Sequence, residues 1–153
     1  MSGTVLRSGV DLIRIKRVKD AVERRGETFI YRIFTEIEAQ DCRTATGKWR
    51  WPSLAGRFAA KEAVAKALGT GLLGEAGVGL HDIEIQRLGT GQPQVILHSK
   101  AHARYVRLQG DSISISLAHE GEYAIAYCTI LCHVPVADES DLCETEVSDS
   151  HCQ

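Results

Sequence analysis

The sequence predicts one α+β domain in which an antiparallel sheet packs on a long central helix. The chain has 153 residues, enough for one domain. Its longest helical pattern is alanine-rich and spans residues 53–68. The later strand patterns come in hairpin pairs instead of alternating with helices, which favours an α+β arrangement over α/β.

In the first half of the chain, a short strand is predicted at 5–10, running into Asp11, followed by a charged helix at about 15–25. A helix is also predicted over 29–41. It contains a capping box, with Thr35 as N-cap and Glu38 at the third helical position. Residues 43–53 read as a loop. The central helix then starts after Ser53 as N-cap and ends at Gly69.

The second half begins with a glycine-rich loop over 69–79. Strands are predicted at 83–86 and 94–97 around a turn rich in Gly and Pro, then a helix at 99–108. Two final strands, 112–117 and 123–131, flank the turn 119–122. This pattern places the domain at 1–132, and residues 133–153, which lack periodicity, are predicted to be a disordered tail.

Charge is distributed unevenly along the chain. Residues 133–153 hold six of the 20 acids and no Lys or Arg, so the rest has 18 basic and 14 acidic residues, a net +4. No apolar stretch reaches the length of a membrane span, and the N-terminus lacks the pattern of a secretory signal. Together with an odd number of cysteines, five, this predicts a cytoplasmic protein that does not associate with membranes.

The cysteine and histidine spacing at Cys128, Cys132 and His133 is compatible with a metal site. A buried Cys128 in a strand, with loose thiols elsewhere, is the favoured reading.

The central helix carries the most informative side chains. Glu62 and Lys66 lie one turn apart beside small alanines, which would let a ligand approach closely. Lys66 also precedes the glycine-rich loop, whose N–H groups can bind phosphate oxygens. An ordinary surface ion pair explains the same spacing, and the loop lacks the P-loop pattern.

Three further features have both a functional and an inert explanation. Asp11 at a strand end suits Mg²⁺, and it also suits a turn. His119 could hydrogen-bond a phosphate or be an inert turn residue. The basic segment 14–25 could dock an acidic protein, bind nucleic acid or be a solvated face. Because no aromatic residues interleave with these charges, nucleic-acid binding is the weaker hypothesis.

Several motifs together resemble one family, the short, single-domain holo-acyl-carrier-protein synthase branch of the 4′-phosphopantetheinyl transferases. The resemblance covers about residues 5–131. Its most specific part is Arg-Phe-Ala-Ala-Lys-Glu-Ala at 57–63, continuing as Lys-Ala-Leu-Gly-Thr-Gly at 66–71. The other matching segments follow in the family's order: 9–12, 33–38, 82–85, 91–93 and 114–119.

The resemblance implies the phosphopantetheinyl transferase fold and transfer of 4′-phosphopantetheine from coenzyme A to a serine of an apo acyl carrier protein, as in fatty acid biosynthesis. It implies magnesium held by Asp11 and Glu62, with Glu62, Lys66 and His119 as catalytic residues. It also implies a homotrimer with shared sites, and carrier binding by Arg17 and Arg24. The implied coenzyme A site comprises Arg57, Lys61, Lys66, Gly69, Thr70, Gly71, Thr90, Gly91 and His119.

The sequence departs from the family pattern at three places. Ala118 precedes His119 where the family usually has Ser or Thr, the loop 71–79 is not strongly basic, and the acidic tail has no counterpart. Two other functions remain open at this point: a non-catalytic coenzyme A or nucleotide-binding module, and a nucleic-acid-binding protein that uses residues 14–25. The domain could also be an accessory part of a larger synthase, which changes its context and not its chemistry.

Overall fold

The computed structural model describes residues 2–75 and 77–135. The elements in chain order are β1 (Ser2–Arg14), α1 (Ile15–Arg25), α2 (Thr28–Ile33), α3 (Glu36–Asp41), α4 (Trp51–Leu68), a 3-10 helix (Leu80–Asp82), β2 (Ile83–Arg87), β3 (Pro93–Leu97), α5 (Ser99–Arg107), β4 (Gly110–Glu120) and β5 (Tyr123–Pro135). This is the predicted α+β class.

Two antiparallel sheets surround the central helix α4. The larger has the order β1-β5-β4, and the smaller consists of β2 and β3. In the larger sheet, Gly9 of β1 pairs with Cys128 of β5, and β4 and β5 form a hairpin. Alternate residues of β5, from Ala124 to Cys132, are buried against α4. The predicted packing of an antiparallel sheet on a long helix is therefore confirmed.

The helix α4 is buried on most of its circumference, which is why its sequence is dominated by alanine. Twelve of its 18 residues are buried. Beyond the first turn, only Phe58, Glu62 and Lys66 are not buried, and their spacing of four residues places them on one stripe. The one stripe of this helix that reaches solvent is therefore the stripe that carries the predicted functional residues.

The strand β1 crosses α4 in direct backbone contact at Gly9. A Cβ atom at this position would lie 2.0 Å from the carbonyl oxygen of Ala63 and 2.8 Å from the amide nitrogen of Ala67. No side chain fits in that space, so only glycine permits the crossing. Asp11, two residues further along, is on the same face of β1 and is thereby brought to α4.

The elements differ from the sequence prediction mainly in their ends. The helix predicted over 29–41 is two helices, because Phe34 adopts an extended conformation and turns its ring into the core. The capping box is present: Thr35 Oγ1 accepts from the Glu38 amide, and Glu38 Oε2 accepts from the Thr35 amide. Ser53 is not the N-cap of α4, which begins at Trp51 with Pro52 in its first turn.

The strands are longer than predicted. Asp11 lies within β1, which continues to Arg14, and His119 lies within β4 instead of opening a turn. The strand β5 extends to Pro135, three residues beyond the predicted domain end at 132. The rest of the predicted tail, 136–153, lies outside the described residues. Pairing of long strands is a tertiary effect that local turn signals do not reveal.

Cys128 is buried in β5 as predicted, and burial raises the pKa of its thiol to about 12. Within residues 2–75 and 77–135, no three His, Cys, Asp or Glu side chains converge in a way that could hold a metal ion. In the same part of the chain, no helix is long and apolar enough to cross a membrane.

Replacing Gly9 with Ala tests the backbone contact. The added methyl must displace β1 from α4, so we expect a loss of about 3 kcal/mol or more in the free energy of unfolding, measured by urea denaturation. Gly89→Ala is the matched control, because a Cβ atom at Gly89 meets nothing within 4 Å. Equal denaturation midpoints for the two variants would show that the contact is not close.

Candidate active site

Asp11 and Lys66 meet where β1 crosses α4. Lys66 Nζ lies 3.0 Å from Asp11 Oδ1 and donates a second hydrogen bond of 2.8 Å to the carbonyl oxygen of Val10. The side chain of Lys66 is half exposed, whereas that of Asp11 is 20% exposed. Glu62, one turn earlier on the same stripe of α4, is partly buried. The three residues that sequence analysis singled out therefore form one cluster at the protein surface.

The electrostatics of this carboxylate cluster favour a cation. Burial raises the pKa of Glu62, and the negative charge of Asp11 raises it further, while Lys66 and Arg17 lower it. Two neighbouring carboxylates are a suitable ligand set for Mg²⁺, which uses few protein carboxylates and completes its shell with water and phosphate oxygens. Asp11 and Glu62 thus fit the magnesium ligands that the resemblance implies.

A second group of predicted residues lines a cavity of about 230 Å³ between the start of α4, the β2–β3 hairpin and the end of β4. Arg57, Gly91 and His119 all contribute to its wall, and so does Arg87. Arg57 is held in place by Asp41, whose Oδ2 lies 3.1 Å from Nη2, and by the carbonyl oxygen of Ile85. The wall of this cavity therefore carries two guanidinium groups, of which that of Arg57 is paired with Asp41, and one imidazole.

Arg87 was missed by sequence analysis, although it directly precedes the turn that carries Thr90 and Gly91. A basic residue at the base of a glycine-containing turn is a weak signal, which only the folded hairpin makes specific. Thr90 itself is exposed and does not line this cavity. Ala118 does line it, beside His119.

Lys61 does not belong to the site, in contrast to what the resemblance implied. Its side chain is fully buried and lies 2.8 Å from Glu38 Oε2. Its ammonium group also donates to the carbonyl oxygens of Leu80 and Ile83. Burial lowers the pKa of Lys61, and the Glu38 carboxylate opposes that shift. Since all three ammonium protons are used inside the core, Lys61 ties α4 to α3 and β2 and is unavailable to a ligand.

The loop after α4 contributes to a different cavity. Gly69 and Thr70 lie in its wall together with residues of α5. Gly71 is exposed and lines none of the main cavities of the described chain. The predicted coenzyme A residues are thus divided between two cavities in one chain. Arg57 and Glu62, five residues apart, also project about 140° apart around α4.

The predicted carrier-binding residues Arg17 and Arg24 border a third cavity, of about 260 Å³. Its floor is apolar and includes Phe29 and Phe58, while Arg25 stacks over the Phe29 ring at 4.9 Å. Arg17 is near enough to Glu62 to lower its pKa, so this surface adjoins the carboxylate cluster.

Comparison with known proteins agrees with the family that the sequence motifs resemble. A family model described as the 4′-phosphopantetheinyl transferase superfamily matches residues 7–128. The chain belongs to this superfamily. A holo-acyl-carrier-protein synthase of Chloroflexus aggregans is 42% identical over 129 residues, covering 80% of this chain and 92% of its own length. The corresponding synthase of Gloeobacter violaceus is also 42% identical, over 125 residues, covering 82% of this chain and 92% of the relative.

Solved structures of the same family share the fold. The Helicobacter pylori holo-acyl-carrier-protein synthase in complex with coenzyme A has a TM-score of 0.69 at 29% identity, covering 80% of this chain and 98% of that one. The Chronobacterium ammoniagenes synthase in complex with coenzyme A has a TM-score of 0.70 at 30% identity, covering 82% and 96%. The superfamily's fold is therefore the fold of this chain.

The two lysines of the central motif should behave differently when truncated. Lys61→Ala leaves the buried Glu38 carboxylate unpaired, so we expect a loss of about 3–5 kcal/mol in the free energy of unfolding. Lys66→Ala removes an exposed pair and should cost less than about 1 kcal/mol. Urea denaturation of both variants measures the difference. If Lys66→Ala proved as destabilising as Lys61→Ala, the assignment of Lys61 to the core and Lys66 to the site would be wrong.

Magnesium should stabilise the protein against heat through Asp11 and Glu62. At a concentration ten times its Kd, an ion that binds only the folded state adds about 1.4 kcal/mol, or a few degrees in Tm. The raised pKa means that Glu62 takes up a proton at a higher pH than an ordinary glutamate. The gain in Tm should therefore be present at neutral pH and fade as the pH falls through that raised value, before ordinary carboxylates titrate.

Thermal unfolding with magnesium or EDTA at several pH values measures this gain. Glu62→Gln should abolish the gain, whereas Glu36→Gln, at an exposed position of α3, should retain it. A gain that persists in Glu62→Gln would place the ion elsewhere.

Proposed function

We propose that this protein is a magnesium-dependent holo-acyl-carrier-protein synthase. It transfers the 4′-phosphopantetheine group of coenzyme A to a serine of an apo acyl carrier protein and releases 3′,5′-ADP. The observation that carries this proposal is the cluster of Asp11, Glu62 and Lys66, assembled where β1 crosses α4. Relatives named holo-acyl-carrier-protein synthase and structures of family members with coenzyme A support it.

The reaction is a displacement at phosphorus. The serine oxygen forms a bond to the β-phosphorus of coenzyme A, the phosphoanhydride bond breaks, and its electron pair leaves on the phosphate of 3′,5′-ADP. Asp11 and Glu62 would hold magnesium, whose chemistry would be to supply positive charge near the pyrophosphate oxygens. Lys66 adds a cation on the same stripe of α4, where charge develops on those oxygens.

The serine proton needs an acceptor near the carboxylate cluster. Glu62 is one candidate, because a carboxylate with a raised pKa is a better base than an ordinary one. Water at the site is the other candidate. His119, which lines the cavity with Arg57 and Arg87, is suited to hydrogen-bond a phosphate of coenzyme A.

The α1 surface suits an acidic carrier. Arg17 and Arg24 supply positive charge around an apolar cavity, so an acidic helix with one apolar side chain facing inward would match both features. Lys16 and Lys19 on the same helix are already paired with Asp20 and Glu23. This internal neutralisation, and the lack of stacking aromatics on α1, favour a protein partner over nucleic acid.

A homotrimer with shared sites is consistent with two features of the chain. The outer face of the larger sheet exposes an apolar patch, in which Val10 pairs with Tyr127 and Leu12 pairs with Ile125. Such a contiguous apolar face is typical of an interface. The cationic cavity and the carboxylate cluster also face different directions around α4, which suits a coenzyme A site shared between neighbouring subunits.

The expected carrier is that of fatty acid biosynthesis, and the expected location is the cytoplasm. Cys42, Cys128 and Cys132 are free thiols in the described chain, and each is buried. Free thiols are the usual state of cysteine in a reducing compartment.

Mass spectrometry of the carrier tests the proposed reaction. An apo acyl carrier protein incubated with coenzyme A, magnesium and this protein should gain the mass of one phosphopantetheinyl group, and EDTA should prevent the gain. Glu62→Gln should lower turnover on the order of 100-fold, while the control Glu36→Gln retains it. Binding of coenzyme A by calorimetry without any gain in carrier mass would instead establish a non-catalytic binding module.

A further inference from the structure

The cavity beside α5 is strongly basic. It measures about 480 Å³, and α5 contributes Lys100, Arg104 and Arg107 to its wall. Gly69 and Thr70 form the opposite side, and Glu75 is the one acidic side chain among its lining residues. We refer to Lys100, Arg104 and Arg107 as the α5 basic cluster.

Most of this charge has no partner in the described chain. Arg104 Nε donates to the carbonyl oxygen of Leu68 at 3.0 Å and so caps the C-terminus of α4. None of the ion pairs among residues 2–75 and 77–135 uses Lys100, Arg104 or Arg107. Lys100 also lies in the first turn of α5, where the helix dipole disfavours a positive charge. An anion bound in the cavity would pair with these positive charges and would offset the unfavourable interaction of Lys100 with the helix dipole.

Thr70 points to the same conclusion. Its hydroxyl oxygen is buried and has no hydrogen-bond partner within the described part of the chain. A hydroxyl can donate to a carboxylate or phosphate oxygen, so an anion that reached this atom would satisfy it.

The chain itself leaves the fold next to this cluster. Near the end of β5, the amide of His133 donates to the carbonyl oxygen of Gln109 at 2.9 Å, in the turn that follows α5. His133 Nε2 also lies 3.5 Å from Asp111 Oδ1. In the sequence, Asp138 is three residues after Pro135, and three residues of chain span at most about 10 Å.

The charge of the following segment is complementary to the cluster. Residues 136–153 contain six acids and no Lys or Arg: Asp138, Glu139, Asp141, Glu144, Glu146 and Asp149. The family model matches residues 7–128, so this segment lies outside the matched region. The segment is acidic and follows directly in the sequence on the strand β5, whose His133 contacts the turn after α5.

We propose that the acidic segment 138–149 binds the α5 basic cluster of its own chain. The basic residues of α1 are the less favourable site. Arg14 at the start of α1 pairs with Tyr123, whereas Pro135 pairs with Ser2 at the opposite end of the sheet, about 40 Å away along the strands.

A regulatory consequence follows, and it rests on the proposed function. Gly69 and Thr70, which the family resemblance assigns to the coenzyme A site, also line the cavity that the acidic segment would occupy. The segment and coenzyme A then compete for the same loop. A covalent tether holds the segment at an effective concentration on the order of millimolar, so even a weak interaction keeps the cavity partly occupied.

Zero-length carbodiimide cross-linking of the full-length protein tests the binding directly and needs no enzyme activity. We expect an amide between Lys100 and one of the six acids, identified by mass spectrometry of peptides. The cross-link should disappear at about 0.5 M salt, where screening is nearly complete beyond about 4–5 Å. It should also disappear when all six acids are changed to their amides. Cross-links to Lys16 or Lys19 instead, or equally to the exposed Lys48, would overturn the proposal.

Kinetics test the competition separately. Changing the six acids to amides should lower the KM for coenzyme A roughly threefold at low salt and leave the KM for the carrier protein unchanged. Lys100→Glu combined with Arg107→Glu should remove the difference between the acidic and the neutralised segment. A Lys100 cross-link without any change in the KM for coenzyme A would support binding of the segment to α5 and would contradict its competition with coenzyme A. A change in the carrier KM alone would place the segment on α1.

Discussion

The contact between the β1 backbone and α4 at Gly9 is the constraint on which the site depends. A strand normally stands a side chain's length away from the helix it packs on. Here the backbones touch, because the strand has no Cβ atom at the crossing and the helix presents the Ala63 and Ala67 backbone. The approach leaves Asp11 near Glu62 and Lys66 without requiring long side chains. The carboxylates are therefore positioned by two rigid elements, which is the arrangement that a charged reaction centre needs.

A second constraint fixes α4 on its other side. The buried pair of Lys61 and Glu38 joins α4 to the cap of α3, and Glu38 Oε1 also accepts from the amide of Ile85. One carboxylate thus serves as helix cap, ion-pair partner and acceptor for a strand. Removing either partner leaves a buried charge, so the pair stabilises one specific arrangement of these elements more than it stabilises folding in general.

The sequence predicted the helices and hairpins well because their signals are local. The capping box at Thr35 and the glycine after Leu68 could be read from neighbouring residues alone. The ends of the strands could not be predicted in this way, because pairing between β1 and β5 extends both strands beyond any local sequence signal. The sequence singled out Asp11, Glu62 and Lys66 by their chemistry and by the family motif, and the structure brings the three side chains together, while their roles stay a prediction. Lys61 was misassigned because a motif records which residue is present and not whether the helix turns it inward. Arg87 was missed because its role depends on a cavity formed by three separate elements.

The burial of α4 limits where this protein can change during evolution. Nearly every position of that helix either fills the core or lies on the stripe of the candidate site, so we expect most substitutions there to affect stability or the site. The exposed side chains of α5 and the acidic residues that follow β5 in the sequence are not part of that packed helix. Charged substitutions at these positions can accumulate without disturbing the core or the candidate site, and substitutions of opposite charge can become complementary to each other. Regulation could then evolve through α5 and the residues that follow β5, while the helix α4 stays unchanged.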